Sequence, residues 1–97
     1  MSDYLFLMHD DAPKALADAG WPEYLSKLRE GGHFEGGSSI GVGVCVNKNG
    51  SSPPIAAHLT GYIRVQAESL SQARRLLDGN PVYEAGGTVE IRELPRD

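Results

Sequence analysis

The sequence has little of several residue types that mark common protein classes. Its 97 residues include one cysteine, Cys45, which excludes an internal disulfide framework and a cysteine-rich zinc site. No apolar run approaches the roughly 20 residues that a membrane-spanning helix needs. The acidic start Met1-Ser2-Asp3 lacks the positive charge of a signal peptide. We therefore expect a cytoplasmic protein with no membrane partner.

Basic residues are also scarce. Nine Lys and Arg residues against 13 Asp and Glu residues give a formal net charge of -4. Proteins that bind a phosphate backbone concentrate positive charge on one face, whereas the only local basic pair here, Arg74-Arg75, is offset by Asp78. The three histidines lack the i, i+4 spacing of a helical metal site. We predict no nucleic-acid partner, no metal site and no cofactor.

Hydrophobic periodicity predicts four strands. Residues 4–8 are apolar on both faces, which is typical of a central strand covered on both sides. Residues 55–66 alternate most clearly, with Tyr62 and Arg64 on the polar face, and residues 88–94 form the last strand. Another strand starts over residues 34–39.

The segment after residue 39 has its own pattern. Ile40, Val42, Val44 and Val46 alternate with smaller or polar residues, as in a strand. Asn49-Gly50 is a strong tight-turn dipeptide, and two prolines follow. We predict a hairpin insertion or loop that projects from the sheet.

Two helical regions separate the strands. Residues 13–19 and a second segment from Trp21 to Gly31-Gly32 form one broken region, with Asp10 or Asp11 as a candidate cap. Ser69 and Gln72 match the capping-box pattern and begin a helix that Gly79 stops, with Pro81 just beyond.

This order of elements predicts one domain over residues 1–97 with an α+β, ferredoxin-like βαββαβ fold. Right-handed crossovers place both helical regions on one face of a four-stranded antiparallel sheet. A chain this short has a limited core, and pairing with a second copy would add buried apolar area.

Several segments, taken in order, resemble a known family. Residues 61–73 fit the pattern GYxxxxxxSLxxA, and residues 86–92 are similar to a GGxxEVRP closing strand. Residues 4–8 are similar to a YMLLIY opening, and residues 24–34 to the end of a first helix. Together they resemble the YCII-related (DGPF-type) family.

The resemblance implies a dimeric α/β barrel, in which the sheets of a homodimer pack face to face and each subunit has a cleft. Some members carry a His-Asp pair proposed as catalytic, and one branch removes chloride from a hydroxylated aromatic. This chain has Trp21 where YCII-type proteins place a histidine, Asn80 where they often place aspartate, and no Asp-Gly-Pro-Phe sequence. The family's acid/base chemistry therefore does not carry over residue by residue.

The candidate ligand-binding residues are Trp21, Tyr62, Arg64 and Arg92. With strand order 4-1-3-2, Arg64 and Arg92 lie about 10 Å apart, a spacing at which two guanidinium groups could bind an anionic or hydroxylated ligand. The alternative is a polar dimer interface, with Arg64 or Arg92 paired to an acid across it. Trp21 either stacks on a planar ligand or anchors the start of its helix.

The candidate catalytic residues are His9 and His58. His9 with Asp11 could form a base and its orienting carboxylate; the alternative is an exposed strand end beside a helix cap. His58 either enters the cleft beside Tyr62 or ends a loop. Cys45 lies between valines and is read as a small strand residue rather than a nucleophile.

Three functions stay open at this level. The first is a homodimer that binds a small polar or aromatic molecule. The second is a lyase or isomerase that uses His9 or His58 as base and Arg64 to hold an anion. The third is a non-catalytic dimerisation or regulatory module.

Overall fold

A four-stranded antiparallel sheet organises residues 1–96, the part of the chain that the computed structural model describes. Asp97, the last residue of the predicted domain, lies outside the described residues. The sheet order β2-β3-β1-β4 is the predicted one, and the ferredoxin-like architecture is confirmed. The elements in chain order are β1 (Ser2–His9), α1 (Lys14–Ala17), α2 (Trp21–Glu30), β2 (Phe34–Ser39), β3 (Leu59–Ala67), α3 (Leu70–Arg75), α4 (Pro81–Glu84) and β4 (Val89–Leu94).

The core lies between the sheet and the helices. Phe6, at the middle of β1, is fully buried and pairs with Ile63 of β3 and Ile91 of β4. Alternate residues of a strand share a face, so Tyr4 and Met8 point to the same side as Phe6. Both are buried in the core cluster, together with Tyr24 and Leu28 of α2, Val65 and Ala67 of β3, and Ala73, Leu77 and Val82.

The other side of the sheet, called the open face below, is covered by no helix among residues 1–96. Leu5 and Leu7 lie along its centre and are partly exposed. Leu5 pairs with Arg64 and Arg92, and Leu7 pairs with Tyr62 on β3 and Glu90 on β4. The prediction of a central strand was right, but the chain itself covers β1 on one side only.

The first helical region is broken, as predicted, at Gly20, whose φ of 88° is a left-handed conformation that glycine adopts without a Cβ clash. The capping prediction was wrong. Pro13 occupies the cap position of α1 without a side-chain hydrogen bond. Asp11 instead accepts hydrogen bonds from the backbone and hydroxyl of Thr88, at 2.8 and 2.6 Å. A carboxylate that ties two strand ends together is not free to cap a helix.

The second helical region contains one element that the sequence reading missed. The capping box is confirmed, since Ser69 accepts from the Gln72 backbone and the Gln72 side chain accepts from Glu68. Beyond Gly79, however, α4 begins. Its cap is Asn80, fully buried, which accepts from two backbone N–H groups of the first turn. Asparagine followed by proline is an ordinary helix start, and that signal was available.

Of the two alternatives predicted for the segment after residue 39, a hairpin insertion or a loop, residues 40–58 form the loop. They contain turns but no strand ladder, and the strand predicted to begin at residue 55 begins at Leu59. The chain does double back, since Cys45 Sγ donates to the Pro54 carbonyl at 3.5 Å and Gly50 N–H donates to Asn47 at 3.3 Å. Pro53-Pro54 cannot donate to a ladder, so the two limbs lie close without pairing as strands. This segment is called the arm below.

Candidate functional site

A cavity of about 610 Å³ lies on the helix side of the sheet, where α1 and α2 meet the ends of β1, β2 and β3. Trp21, Leu25 and Phe34 supply apolar wall, and Lys14 and Asp18 of the α1 region add charge at its edge. Small-molecule sites are commonly clefts of about 300–1,000 Å³ with mostly apolar walls and a few polar groups. The cavity has the size and character of such a site.

Trp21 is fixed in this wall by its neighbours. Its indole Nε1–H donates to the Ala17 carbonyl at 2.9 Å, and its ring meets Tyr24 edge-on with centroids 5.9 Å apart. Tyr24 is itself anchored, since its hydroxyl donates to Leu76 at 2.8 Å and burial raises its pKa to about 12. The ring therefore anchors the helix start and also lines the cavity, whereas stacking on a planar ligand stays a prediction.

His9 lies where the cavity meets the open face. Its Nε2 lies 3.1 Å from Glu90 Oε1, and its ring contacts the His58 ring edge-on at 4.7 Å. The expected partner of His9 was Asp11, which is wrong because Asp11 bonds to Thr88. Glu90 is 81 positions away in sequence, and the pairing of β1 with β4 brings it to His9. The result is a histidine hydrogen-bonded to a carboxylate that can orient its ring, an arrangement compatible with a general base.

Glu90 also binds Arg92, whose guanidinium donates to Oε2 at 3.1 Å. The Arg92 hydrogen bond, followed by that of His9, lowers the pKa of Glu90 below its ordinary value, so the carboxylate is ionised at neutral pH. Glu90 is therefore hydrogen-bonded to both Arg92 and His9, the candidate base.

The two arginines do not form the open pair of cations that the strand order suggested. Arg64 donates to Asp3 at 3.0 Å, and Arg92 is held by Glu90. They flank Leu5 in register as expected, but each already has a carboxylate partner within its own chain. These pairs lie within one chain, so pairing of either arginine with an acid across a dimer interface stays a prediction.

Of the six residues predicted for the site, His9, Trp21 and Tyr62 line the cavity. His58 contacts His9, while Arg64 and Arg92 lie on the open face outside the lining. The sequence reading missed Leu25, Phe34, Lys14 and Asp18. Leu25 and Phe34 pack against the core cluster, and the sequence does not distinguish such residues from apolar residues that line a cavity.

No model of a known protein family matches the sequence, and no curated protein matches it either. Among solved structures, the chain is similar to 5-chloro-2-hydroxyhydroquinone dehydrochlorinase (TftG) from Burkholderia phenoliruptrix AC1100, in complex with 2,5-dihydroxybenzoquinone. The TM-score is 0.62 at 16% identity, over 98% of this chain and 95% of that chain. The fold is ferredoxin-like. At this identity the likeness shows the ferredoxin-like fold alone, and membership of the YCII-related family stays a prediction.

No helix among residues 1–96 is long and apolar enough to cross a bilayer. Within the same residues, no three His, Cys, Asp or Glu side chains are grouped so that they could hold a metal ion.

Acid should destabilise this protein through three carboxyl groups whose pKa values lie below the ordinary range. Hydrogen bonds cause the shifts: from Arg64 to Asp3, from Thr88 to Asp11, and from Arg92 and His9 to Glu90. Since the folded state favours the ionised form, the stabilisation is present above the ordinary pKa of about 4 and is lost as pH falls through the lower, folded values. We expect the melting temperature to fall between about pH 5 and about pH 3.

Thermal melts followed by circular dichroism across that range measure the effect. The Asp11→Asn variant should show a flatter dependence than the wild type. Asp78→Asn, a surface substitution on the helical side, should keep the full dependence. Equal curves for wild type and Asp11→Asn would contradict the assignment.

Proposed function

We propose that this protein binds a small planar molecule carrying hydroxyl or keto oxygens in the cavity, and that His9 accepts a proton from it. The observation that carries the proposal is the cavity itself, which is lined by both Trp21 and His9, and His9 is hydrogen-bonded to Glu90 on the adjoining open face. The proton passes from a ligand hydroxyl or acidic C–H to the imidazole, and the ionised Glu90 stabilises the imidazolium that forms. This proposal develops the lyase or isomerase hypothesis. His9 is the base, and Glu90 instead of Asp11 is its carboxylate partner.

The walls support a planar ligand. Trp21 offers an aromatic ring held by its own hydrogen bond, so little rotamer freedom is lost when a ligand stacks on it. Leu25 and Phe34 complete an apolar wall, and Lys14 and Asp18 add polar groups at its edge. Such a set favours a flat aromatic or quinonoid molecule over a sugar or a phosphate.

The structural neighbour supports the same ligand class. That dehydrochlorinase was solved with 2,5-dihydroxybenzoquinone, a planar molecule with keto and hydroxyl oxygens. The neighbour shares the fold at low identity, so the chemical class of its ligand guides the choice of probes, and its reaction is not assigned to this chain.

We further propose that the protein works as a homodimer joined through the open face, as the family resemblance implies. Leu5 and Leu7 form an apolar stripe there that no helix among residues 1–96 covers. The ion pairs of Arg64 and Arg92 flank this stripe, an arrangement of apolar centre and polar rim that is typical of interfaces. This observation favours the dimerisation module as the second candidate function, should the cavity bind nothing.

Intrinsic fluorescence tests the ligand site directly, because Trp21 is the only tryptophan in the chain. Titration with catechol, hydroquinone and 2,5-dihydroxybenzoquinone should quench the emission in a saturable manner. Calorimetric titration of Trp21→Ala should show affinity weakened by about 10-fold or more, since a lost aromatic contact and its buried area are worth about 1.4 kcal/mol or more.

Matched controls make the result specific. Tyr83→Ala removes a half-exposed aromatic ring on α4, outside the cavity, and should leave affinity unchanged. For the base, 4-nitrocatechol reports its own ionisation by colour; its bound, ionised fraction should fall in Glu90→Gln and stay unchanged in Glu93→Gln. A wild-type protein that shows no saturable binding, or equal losses in Trp21→Ala and Tyr83→Ala, would contradict the proposed site.

A further inference from the structure

The arm, residues 40–58, carries an apolar stripe that nothing within residues 1–96 covers. Val42, Val44 and Val46 have exposed fractions of 102%, 82% and 84%. They follow each other at a spacing of two, which places them on one side of an extended chain. β-Branched residues at this spacing are typical of a strand that packs on a surface, yet in this chain they contact no surface.

The arm continues an edge of the sheet. β2 is the outermost strand, and the Ile40 N–H still donates to Thr60 at 3.0 Å before the chain leaves the ladder. An exposed apolar extension of an edge strand invites pairing or aggregation, and natural proteins usually blunt it with charge or cover it. From Ile40 to Asn47 the arm carries no charged residue. The pattern therefore indicates a surface that is covered in the working form of the protein.

The dimensions of the chain point in the same direction. The accessible surface is 6451 Å², about 1,000 Å² more than the roughly 5,400 Å² expected for a monomer of 10.4 kDa. The radius of gyration is 14.7 Å, against about 12.5 Å for a compact domain of this length. The excess is similar to the area of about 800 Å² that one partner gives to a standard interface.

The area of the open face explains why a second copy is the fitting partner. Four strands about 4.8 Å apart and about six residues long cover roughly 400 Å², half of what a standard interface takes from each side. The arm, which extends from the edge of the same sheet, offers the missing area. In a dimer with two-fold symmetry this contact would occur twice, because the arm of each copy would pack on the other copy.

We propose that the arm of each copy clasps a second copy of this chain, with Val42, Val44 and Val46 packed against the second copy beside the Leu5 and Leu7 stripe. The inference rests on the proposed homodimer and adds the element that makes it stable. The sheet face sets the orientation of the two copies, and the arms supply the additional apolar contact.

Sedimentation equilibrium over a range of protein concentrations tests the clasp. The wild type should have twice the mass of one chain, whose mass is 10.4 kDa. In the triple variant Val42→Ser, Val44→Ser and Val46→Ser the dimer dissociation constant should rise at least about 100-fold, because three valine side chains lose their buried contact. The matched control Leu16→Ser with Leu70→Ser removes two exposed leucines from helices and should change the constant by less than about threefold.

A second measurement does not depend on a variant. Cys45 lies between Val44 and Val46 and is the only cysteine, so a benzophenone maleimide attached there should photo-crosslink to the β1 segment of a second copy. Mass spectrometry of digested, isotope-mixed dimers separates crosslinks between copies from those within one chain. Crosslinks only within one chain would overturn the clasp.

The outcomes separate the proposals. A monomeric wild type overturns both the dimer and the clasp. A wild-type dimer whose dissociation constant is unchanged in the triple valine variant overturns the clasp and leaves the dimer. Ligand titration followed by Trp21 emission, at one fixed protein concentration for all variants, tests the cavity separately.

Discussion

The Phe6→Ala variant will lose about 3–5 kcal/mol of its free energy of unfolding. Phe6 is 0% exposed and pairs with both neighbouring strands of the sheet. Truncation leaves a cavity between β1 and the helices, and rigid strands on both sides prevent its collapse. Since a domain of this length has about 5–15 kcal/mol of stability in total, the loss is a large share. Chemical denaturation followed by circular dichroism measures it.

Leu7→Ala is the matched control, because Leu7 is the next residue and points to the opposite face. At low protein concentration its cost should stay below about 1 kcal/mol, as is usual for a side chain that remains partly exposed. At high concentration the cost should grow if a second copy covers the open face, because subunit binding adds to stability. Equal losses in the two variants at low concentration would contradict the assignment of the core to one face.

The Gly37→Ala variant will separate β2 from β3 and lower the melting temperature by about 10–20 °C, equivalent to about 2–3 kcal/mol. A Cβ on Gly37 would lie 2.6 Å from the Tyr62 carbonyl oxygen and 3.2 Å from the Ile63 Cα. Both are backbone atoms of the paired strand, so neither can turn aside as a flexible side chain would. β2 must therefore shift away from β3, and Gly37 of β2 also lines the cavity.

Gly41→Ala is the control for this substitution. A Cβ at Gly41 would meet no atom within 4 Å, so the same chemical change in the arm should alter the melting temperature by no more than about 2 °C. Thermal melts of both variants at one protein concentration measure the difference. A Gly37→Ala protein that melts with the wild type would show that β2 is free to move away without cost.

The sequence predicted those parts of the fold that local patterns control. Period-two alternation located β3 and β4, and the Ser69–Gln72 box located α3, because neighbouring residues decide these structures. The strand order followed from chain connectivity. The arm shows what local patterns cannot predict. Ile40 to Val46 have the sequence pattern of a strand but form none, because a strand needs a neighbouring strand that offers hydrogen bonds.

The candidate site was predicted less well, because its contacts join distant parts of the chain. Sequence proximity suggested Asp11 for His9, whereas the pairing of β1 with β4 supplies Glu90. Arg64 and Arg92 were placed correctly on the sheet, but their carboxylate partners come from the register between strands, which a single sequence does not specify. Trp21 lines the cavity as expected, because an aromatic residue at the start of a helix can be recognised from the sequence alone.

The stem of the arm, which is Ile40 with its hydrogen bond to Thr60, has a consequence for how ligand binding would respond to dilution of the protein. Ser39 and Thr60 line the cavity, and the arm begins with the next residue, Ile40, which bonds to Thr60. If self-association orders this stem, filling the cavity and joining the chains are thermodynamically linked, and each strengthens the other by the same factor. Affinity for a small molecule would then rise with protein concentration, and the cavity would act as a sensor of the protein's own abundance.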